Sequence, residues 1–245
     1  MAEIGYFRRI DGLRLAYRKA EGDGPTLIFL PGYMSDMAGG KATAVFDWCV
    51  AHGRSCLLLD YAGCGESEGD FADQTLTGWR DDVLAMIDAL VEGPVVLIGS
   101  SMGGWLMLMV GAVLGSRLAG LIGIAPAPDF TRWGFTDAQR AEILTNGVHY
   151  EHNPYGPEPT PTWRGFYQSG EGNLMLDREI EIDCPVRLLH GQADADVPWK
   201  ISLKLADALR STDVRVTLVK DGDHRLSREA DIALLLATVA EVTGG

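Results

Sequence analysis

Short apolar runs alternate with amphipathic segments along most of this chain. The apolar runs have the length of buried strands, and the segments between them repeat apolar residues at helical spacing. Strands are predicted at residues 6–10, 13–17, 26–30, 55–60, 94–99, 118–124, 186–190 and 214–219. Helices are predicted at residues 41–51, 76–91, 102–115, 201–209 and 230–242.

The order of these elements predicts an α/β fold. The first two strands flank Asp11 and Gly12, a pair that favours the tight turn of a hairpin. The later strands alternate with helices, and a helical crossover between two strands makes them parallel. We therefore expect a mostly parallel eight-stranded sheet with helices on both faces.

Residues 125–181 interrupt the alternation with poor periodicity, frequent prolines and an excess of aromatic residues. A structureless loop of this length is unusual inside a compact domain. We therefore predict an inserted cap of short helices at residues 127–181, with the core formed by residues 1–126 and 182–245. The aromatic residues are Trp133, Phe135, Tyr150, Tyr155, Trp163, Phe166 and Tyr167.

The chain is acidic, with 34 Asp and Glu against 21 Lys and Arg and a formal net charge of −13. Such a surface repels nucleic-acid phosphates and anionic lipid, so we expect no nucleic-acid partner. No apolar run reaches the length of a membrane span, about 20 residues. The first ten residues resemble neither a signal peptide nor a transit peptide, and we therefore expect a cytoplasmic location.

The cysteines indicate neither a metal site nor a disulfide framework. Cys49, Cys56, Cys64 and Cys184 form no CxxC pair and have no histidine cluster beside them. A chain of 245 residues can bury enough apolar surface without disulfides, so reduced thiols are expected. The glycines of residues 63–65 lack the third glycine of a dinucleotide-binding loop. We expect no cofactor and no bound metal.

A nucleophile is indicated at residues 99–103, Gly-Ser-Ser-Met-Gly, which match G-x-S-x-G. A predicted strand precedes this motif and a predicted helix follows it, as a strand–turn–helix nucleophile elbow requires. The elbow needs small residues around a strained serine, and the helix N-terminus favours developing negative charge. We predict Ser101 as the nucleophile. Ser100 is the rival, but it would break the glycine spacing.

A serine hydroxyl needs a base, usually a histidine held by a carboxylate, and in this fold the chain order is Ser, acid, His. His224 follows the last predicted strand and is the predicted base. Asp194 follows the preceding strand and is the predicted acid, and Asp196 is its rival, with a role near the next helix as the alternative. The other histidines are less suitable by position. They are His52 at a helix end, His149 and His152 in the cap, and His190, interpreted as a structural turn residue.

Acyl transfer also needs two donors for the oxyanion. The first predicted donor is the backbone N–H of Met102, directly after the nucleophile. The second is the N–H of Tyr33, in the loop after the first central strand, where Gly32 allows the backbone to turn towards the site.

Several segments together resemble the α/β-hydrolase superfamily over nearly the whole chain. They most resemble the branch of mitochondrial acyl-protein thioesterases, also known as esterases of acyl glucuronides. The resemblance implies hydrolysis of carboxylic esters or acyl thioesters, with Ser101, Asp194 and His224 as the triad. The segments are residues 29–33, 60–65, 99–107, 187–191, 197–199, 211–214 and 223–225.

Two other functions remain open on the same scaffold. Carbon–carbon bond hydrolases use the same three residue types, and a catalytically inactive ligand-binding module would keep the fold. Dehalogenases and epoxide hydrolases have Asp at the elbow, so Ser101 argues against them.

The predicted cap lies between the elements that carry the nucleophile and the acid. We expect it to fold over Ser101 and to offer its aromatic residues as an apolar wall for an acyl chain. The alternative is that these aromatic residues form a small core of the cap itself.

Overall fold

The computed structural model describes residues 3–154 and 156–244 and contains one eight-stranded sheet in the order β1-β2-β4-β3-β5-β6-β9-β10. Strand β2 pairs antiparallel with β1 and β4, and every other neighbouring pair in this sheet is parallel. This arrangement confirms the predicted mostly parallel sheet. The strands are β1 Gly5–Arg8, β2 Arg14–Ala20, β3 Asp23–Leu30, β4 Arg54–Leu59, β5 Val95–Ser100, β6 Leu118–Ile124, β9 Val186–Gly191 and β10 Val214–Val219.

Helices cover both faces of the sheet, as predicted. On one face, α1 (Gly40–Ala51) and α8 (Glu229–Thr243) bury Val45, Phe46 and Val239 against the strands. On the other face, α2 (Leu76–Leu90), α3 (Met102–Leu114) and α7 (Lys200–Ala208) form a second apolar cluster with the sheet. No helix among the described residues is both long and apolar enough to cross a membrane.

The described residues between β6 and β9 form three helices and a hairpin. We call residues 127–181 the cap segment. Its strands pair antiparallel, from Val148 opposite Trp163 to Glu151 opposite Thr160. The sequence predicts only short helices here, because each strand has four residues and too few positions to show an alternating pattern. Tyr155 lies outside the described residues. The elements are α4 Phe130–Trp133, α5 Asp137–Asn146, β7 Val148–Glu151, β8 Thr160–Trp163 and α6 Arg164–Glu171.

Several aromatic residues of the cap segment point into the protein. Phe166 is 1% exposed, and its ring centroid lies 5.5 Å from that of Trp79 in α2 and 4.9 Å from that of Tyr33. Phe130 stacks on Phe166 at 5.7 Å and meets Trp105 of α3 edge-on. Burying rings of this size contributes roughly 2–3 kcal/mol each. These aromatic residues therefore attach the cap segment to the core.

Candidate active site

Ser101 stands in a sharp turn between β5 and α3. Its φ of 54° and ψ of −121° are strained for a residue with a side chain. The turn leaves no space beside it: a Cβ on Gly99 would lie 2.4 Å from the carbonyl oxygen of Gly103, and a Cβ on Gly103 would lie 2.0 Å from that of Leu30. The two glycines of the motif are therefore required by backbone contacts. Ser100 is the last residue of β5 and is buried.

The structure brings Ser101, His224 and Asp194 together. The distance from Ser101 Oγ to His224 Nε2 is 3.1 Å, and the distance from His224 Nδ1 to Asp194 Oδ2 is 2.9 Å. His224 lies in the loop between β10 and α8, and Asp194 lies in the loop between β9 and α7. The side chain of His224 is 15% exposed, whereas that of Asp194 is fully buried. Parallel strands place these loops at one edge of the sheet.

The carboxylate of Asp194 is surrounded by donors. Oδ1 accepts hydrogen bonds from the amides of Asp196 and Val197, at 2.9 and 2.8 Å. Burial raises the pKa of Asp194, but the hydrogen bonds from His190 and His224 outweigh burial and hold it well below its usual range. The carboxylate therefore stays ionised opposite His224.

Asp196, the rival acid, is exposed and lines the cavity beside Ser101. It does not cap the next helix, because α7 begins at Lys200 with Trp199 as its N-cap. Its carboxylate, that of Asp194 and the His224 ring form a possible metal-ligand group with atoms within 4.8 Å. Two of these three side chains are already joined by a hydrogen bond.

The predicted oxyanion donors flank the nucleophile. Among the described residues, the N–H groups of Met102 and Tyr33 donate no hydrogen bond within the protein, so both are available to a ligand. A Cβ on Gly32 would lie 3.4 Å from Ser101 Cβ, so the backbone of this loop passes directly beside the serine.

Two residues that sequence reasoning missed hold the loop carrying Tyr33. Tyr61 donates its hydroxyl to the carbonyl of Pro31 at 3.0 Å, and Asp60 Oδ1 accepts the amide of Met37 at 2.7 Å. Asp60 and Tyr61 directly follow β4, the neighbour of the strand that leads into the loop. Their position after a buried strand was the available signal.

A cavity of about 750 Å³ lies beside Ser101 and His224, and both polar and apolar groups line it. Two of the lining residues that belong to the core are Lys41 and Arg225. The Lys41 ammonium donates a hydrogen bond to the backbone carbonyl of Arg225. Burial lowers the pKa of Lys41 to about 8. The cap segment contributes no aromatic residue among the described lining. Its contributions are Gly134, Glu151, His152, Asn153, Pro154 and Thr160.

The described residues of the cap segment therefore do not form the expected aromatic wall beside Ser101. Of its described aromatic residues, Phe135 and Tyr167 are buried, Trp133 and Trp163 are half-buried, and Tyr150 is exposed. Rings that bury their area against the protein stabilise the fold. The alternative, a small core of the cap itself, describes Phe135 and Tyr167, which pack with Ile143.

The remaining histidines occupy four different environments. His52 stacks on Trp48 at the end of α1, and His149 is paired with Glu142 at 2.7 Å. His152 lines the cavity. His190, interpreted from sequence as a turn residue, lies within β9, is fully buried and contacts Asp194. The contact with the acid could not be recognised from its position in the sequence.

Comparison with known proteins gives a consistent result. The model of the alpha/beta hydrolase family matches residues 27–243. The chain is 40% identical over 243 residues to the human protein named mitochondrial palmitoyl-protein thioesterase ABHD10, covering 98% of this chain and 79% of the human protein. The mouse alpha/beta hydrolase domain-containing protein 10 superposes with a TM-score of 0.92 at 39% identity, covering 98% of each chain. A putative hydrolase from Agrobacterium vitis superposes with a TM-score of 0.93 at 36% identity, covering 99% of each chain.

These comparisons confirm the predicted fold and the family resemblance, and they correct one prediction. The expected cytoplasmic location is wrong, because the human and mouse relatives are both named mitochondrial. The expectation rested on the first residues of the chain. A targeting segment is recognised separately from the folded domain. The residues of the folded domain therefore do not indicate the compartment.

Proposed function

This chain belongs to the alpha/beta hydrolase family and is an ester or thioester hydrolase, and we propose that it cleaves acyl thioesters through an acyl-enzyme on Ser101. The observation that carries the proposal is the hydrogen-bonded series from Ser101 Oγ through His224 to Asp194, with distances of 3.1 and 2.9 Å. A hydroxyl, an imidazole and a buried carboxylate in this order form the arrangement that nucleophilic acyl transfer requires.

In the first half of the reaction, Ser101 Oγ attacks the acyl carbonyl carbon while His224 Nε2 takes the hydroxyl proton. The ionised Asp194 stabilises the resulting imidazolium. The carbonyl oxygen becomes an oxyanion between the N–H groups of Tyr33 and Met102. The carbon–sulfur bond then breaks, the proton on His224 passes to the leaving thiolate, and the acyl group remains esterified to Ser101.

In the second half, a water molecule occupies the position of the departed thiol. His224 takes a proton from this water as its oxygen attacks the acyl carbonyl carbon, and the same two N–H groups stabilise the second oxyanion. The ester bond to Ser101 breaks and the proton on His224 returns to Ser101 Oγ. The products are a carboxylic acid and a free thiol.

We propose a long-chain acyl thioester as the substrate, because the human relative, 40% identical over nearly the whole chain, is named a palmitoyl-protein thioesterase. His224 must reach the leaving sulfur to protonate it, so the leaving group lies on the His224 side of Ser101. The cavity beside Ser101 and His224 is lined in part by Lys41, Arg225 and Glu151, which suits a leaving thiol on a polar carrier such as a peptide.

The test compares Ser101→Ala with Ser100→Ala on a palmitoylated cysteine peptide and on p-nitrophenyl esters. Ser101→Ala is expected to lose on the order of 10⁴–10⁶ in kcat while keeping its melting temperature. Intact-protein mass spectrometry after rapid quenching should show an acyl adduct in the wild type and in Ser100→Ala only. Wild-type turnover that survives in Ser101→Ala, or an adduct mapped to another residue, would overturn the proposal.

A further inference from the structure

A second histidine is bound to the acid of the proposed triad. Asp194 Oδ2 accepts a hydrogen bond from His224 Nδ1 at 2.9 Å and another from His190 Nε2 at 3.1 Å. His190 is fully buried, and the hydrogen bond with Ser101 Oγ is made by the other imidazole, that of His224. The negative charge on this oxygen is therefore divided between two imidazoles.

The surroundings of His190 determine which ring nitrogen carries the hydrogen. Nε2 faces Asp194 Oδ2 and also the carbonyl oxygen of Val197, at 3.0 Å. The carbonyl can only accept, and so can the ionised carboxylate, so Nε2 must carry the hydrogen. Nδ1 lies 2.7 Å from Ser202 Oγ, whose hydroxyl can donate to it. Ser202 is fully buried on α7, so both ring nitrogens of a neutral His190 are satisfied.

We propose that His190 is a positioning residue of the active site: its Nε2–H, oriented by Ser202, withdraws part of the Asp194 charge from His224 and keeps the base neutral over a wider pH range. A donor on a carboxylate weakens the hold of that carboxylate on its other partner. Without His190, the full charge would face His224 and stabilise its imidazolium form. The base would then be blocked by a proton at a higher pH than in the wild type.

The burial of Asp194 explains why this donor is needed. An isolated carboxylate with no solvent contact is driven towards its neutral form. Burial indeed raises the pKa of Asp194, and the bonds from His190 and His224 together reverse the effect. Among the described residues, Asp196 has a carboxylate oxygen within 4.8 Å of Asp194 and His224, and the charged side chains of Lys41 and Arg225 line the same cavity as His224.

The inference rests on the proposed function, because it assigns a role relative to Ser101 and His224. Its test therefore uses a fluorophosphonate probe, which labels an activated serine whatever the natural substrate. The second-order labelling rate is measured from pH 4.5 to 9 for the wild type, His190→Leu, His190→Gln and Ser202→Ala. His149→Leu is the matched control, since it removes an imidazole–carboxylate pair, with Glu142, outside the site.

The acid limb of the labelling profile should move to higher pH in His190→Leu by on the order of one pH unit. His190→Gln, which returns an N–H near the position of Nε2, should restore most of the wild-type profile. Ser202→Ala should show a smaller shift in the same direction, because the Nε2–H loses polarisation from the Ser202 hydroxyl. The His149→Leu profile should be that of the wild type.

Failure of the proposed function and failure of this inference give different results. If the wild type is not labelled at Ser101, the proposed function is wrong and this inference falls with it. If the wild type is labelled with an acid limb that is the same in His190→Leu and in Ser202→Ala, the inference alone is wrong. Should His190→Leu fail to fold, the Ser202→Ala profile decides, and an unshifted acid limb there overturns the inference.

Discussion

The hydroxyl of Tyr33 donates a hydrogen bond to the carbonyl oxygen of Pro161, at 2.8 Å, across 128 residues of sequence. Pro161 belongs to β8 of the cap segment, while the backbone N–H of Tyr33 is one of the two predicted oxyanion donors. The Tyr33 ring also packs between Phe71 and Phe166. The side chain of Tyr33 therefore connects the loop that carries this predicted oxyanion donor to the cap segment.

Removing this one oxygen should loosen the loop. In Tyr33→Phe the aromatic contacts remain, but the carbonyl of Pro161 loses its partner, at a cost of about 1 kcal/mol in unfolding free energy. We expect kcat to fall more than KM changes, because the oxyanion forms only in the transition state. Steady-state kinetics and urea melts check this, with Tyr150→Phe, a change to an exposed tyrosine of the same hairpin, as control. Equal kinetic effects in the two variants would contradict the coupling.

Replacing each of the two candidate acids by asparagine should change the catalytic rate to very different extents. Asp194→Asn removes the charge opposite His224 and allows the wrong tautomer, so kcat should fall by about 10⁴-fold. Asp196→Asn changes an exposed side chain, whereas the carboxylate bound to His224 Nδ1 is that of Asp194, so the rate of this variant should stay within about threefold of the wild type. Comparing kcat/KM on one p-nitrophenyl ester is sufficient, and the reverse ranking would move the role to Asp196.

Asp194 should also make stability depend on pH. Burial raises its pKa, but hydrogen bonds from His190 and His224 hold the pKa of this carboxyl well below its usual range. Because the unfolded chain takes up the proton first, the stabilisation is complete above the unfolded pKa of about 3.9 and is lost as pH falls through the lower folded pKa. The melting temperatures of the wild type and Asp194→Asn, recorded from pH 2.5 to 7, should therefore converge on acidification. A constant difference would show that the carboxylate contributes no such linkage.

Gly103 should tolerate no side chain. In Gly103→Ala the new Cβ would lie 2.0 Å from the carbonyl oxygen of Leu30, a backbone atom that cannot rotate away. Overpacking of this kind costs about 1–3 kcal/mol or more, and activity should be lost with the elbow geometry. The control is Gly165→Ala in helix α6, where the atom nearest the new Cβ is the methyl carbon of Thr75 at 3.8 Å, and the change should stabilise by up to about 1 kcal/mol. Urea melts in which both variants unfold at the same midpoint would refute the steric argument.

The sequence alone determined the layers of this fold, and it indicated Ser101 as the candidate nucleophile. Strand β10 spans Val214–Val219, the residues whose alternation predicts it, and α2 spans Leu76–Leu90 within the predicted helix at 76–91. These features are local. The spacing of apolar residues within a short segment indicates a strand or a helix, and glycines two positions before and after Ser101 indicate the elbow. The order of acid and base along the chain then reduced the number of Asp and His residues that could complete the triad.

Only the tertiary structure decided the surroundings of the site. The packing of Phe166 against Trp79, the bond of Tyr33 to Pro161 and the approach of His190 to Asp194 are side-chain contacts set by the folded backbone. His190 and Asp194 are only four residues apart, but they meet because the strand ends between them and the chain turns back. A periodic pattern shows which face of an element is apolar, but it does not show what that face meets. The packing of Phe135 with Tyr167 and the mixed polar and apolar lining of the cavity could therefore not be predicted from the sequence pattern.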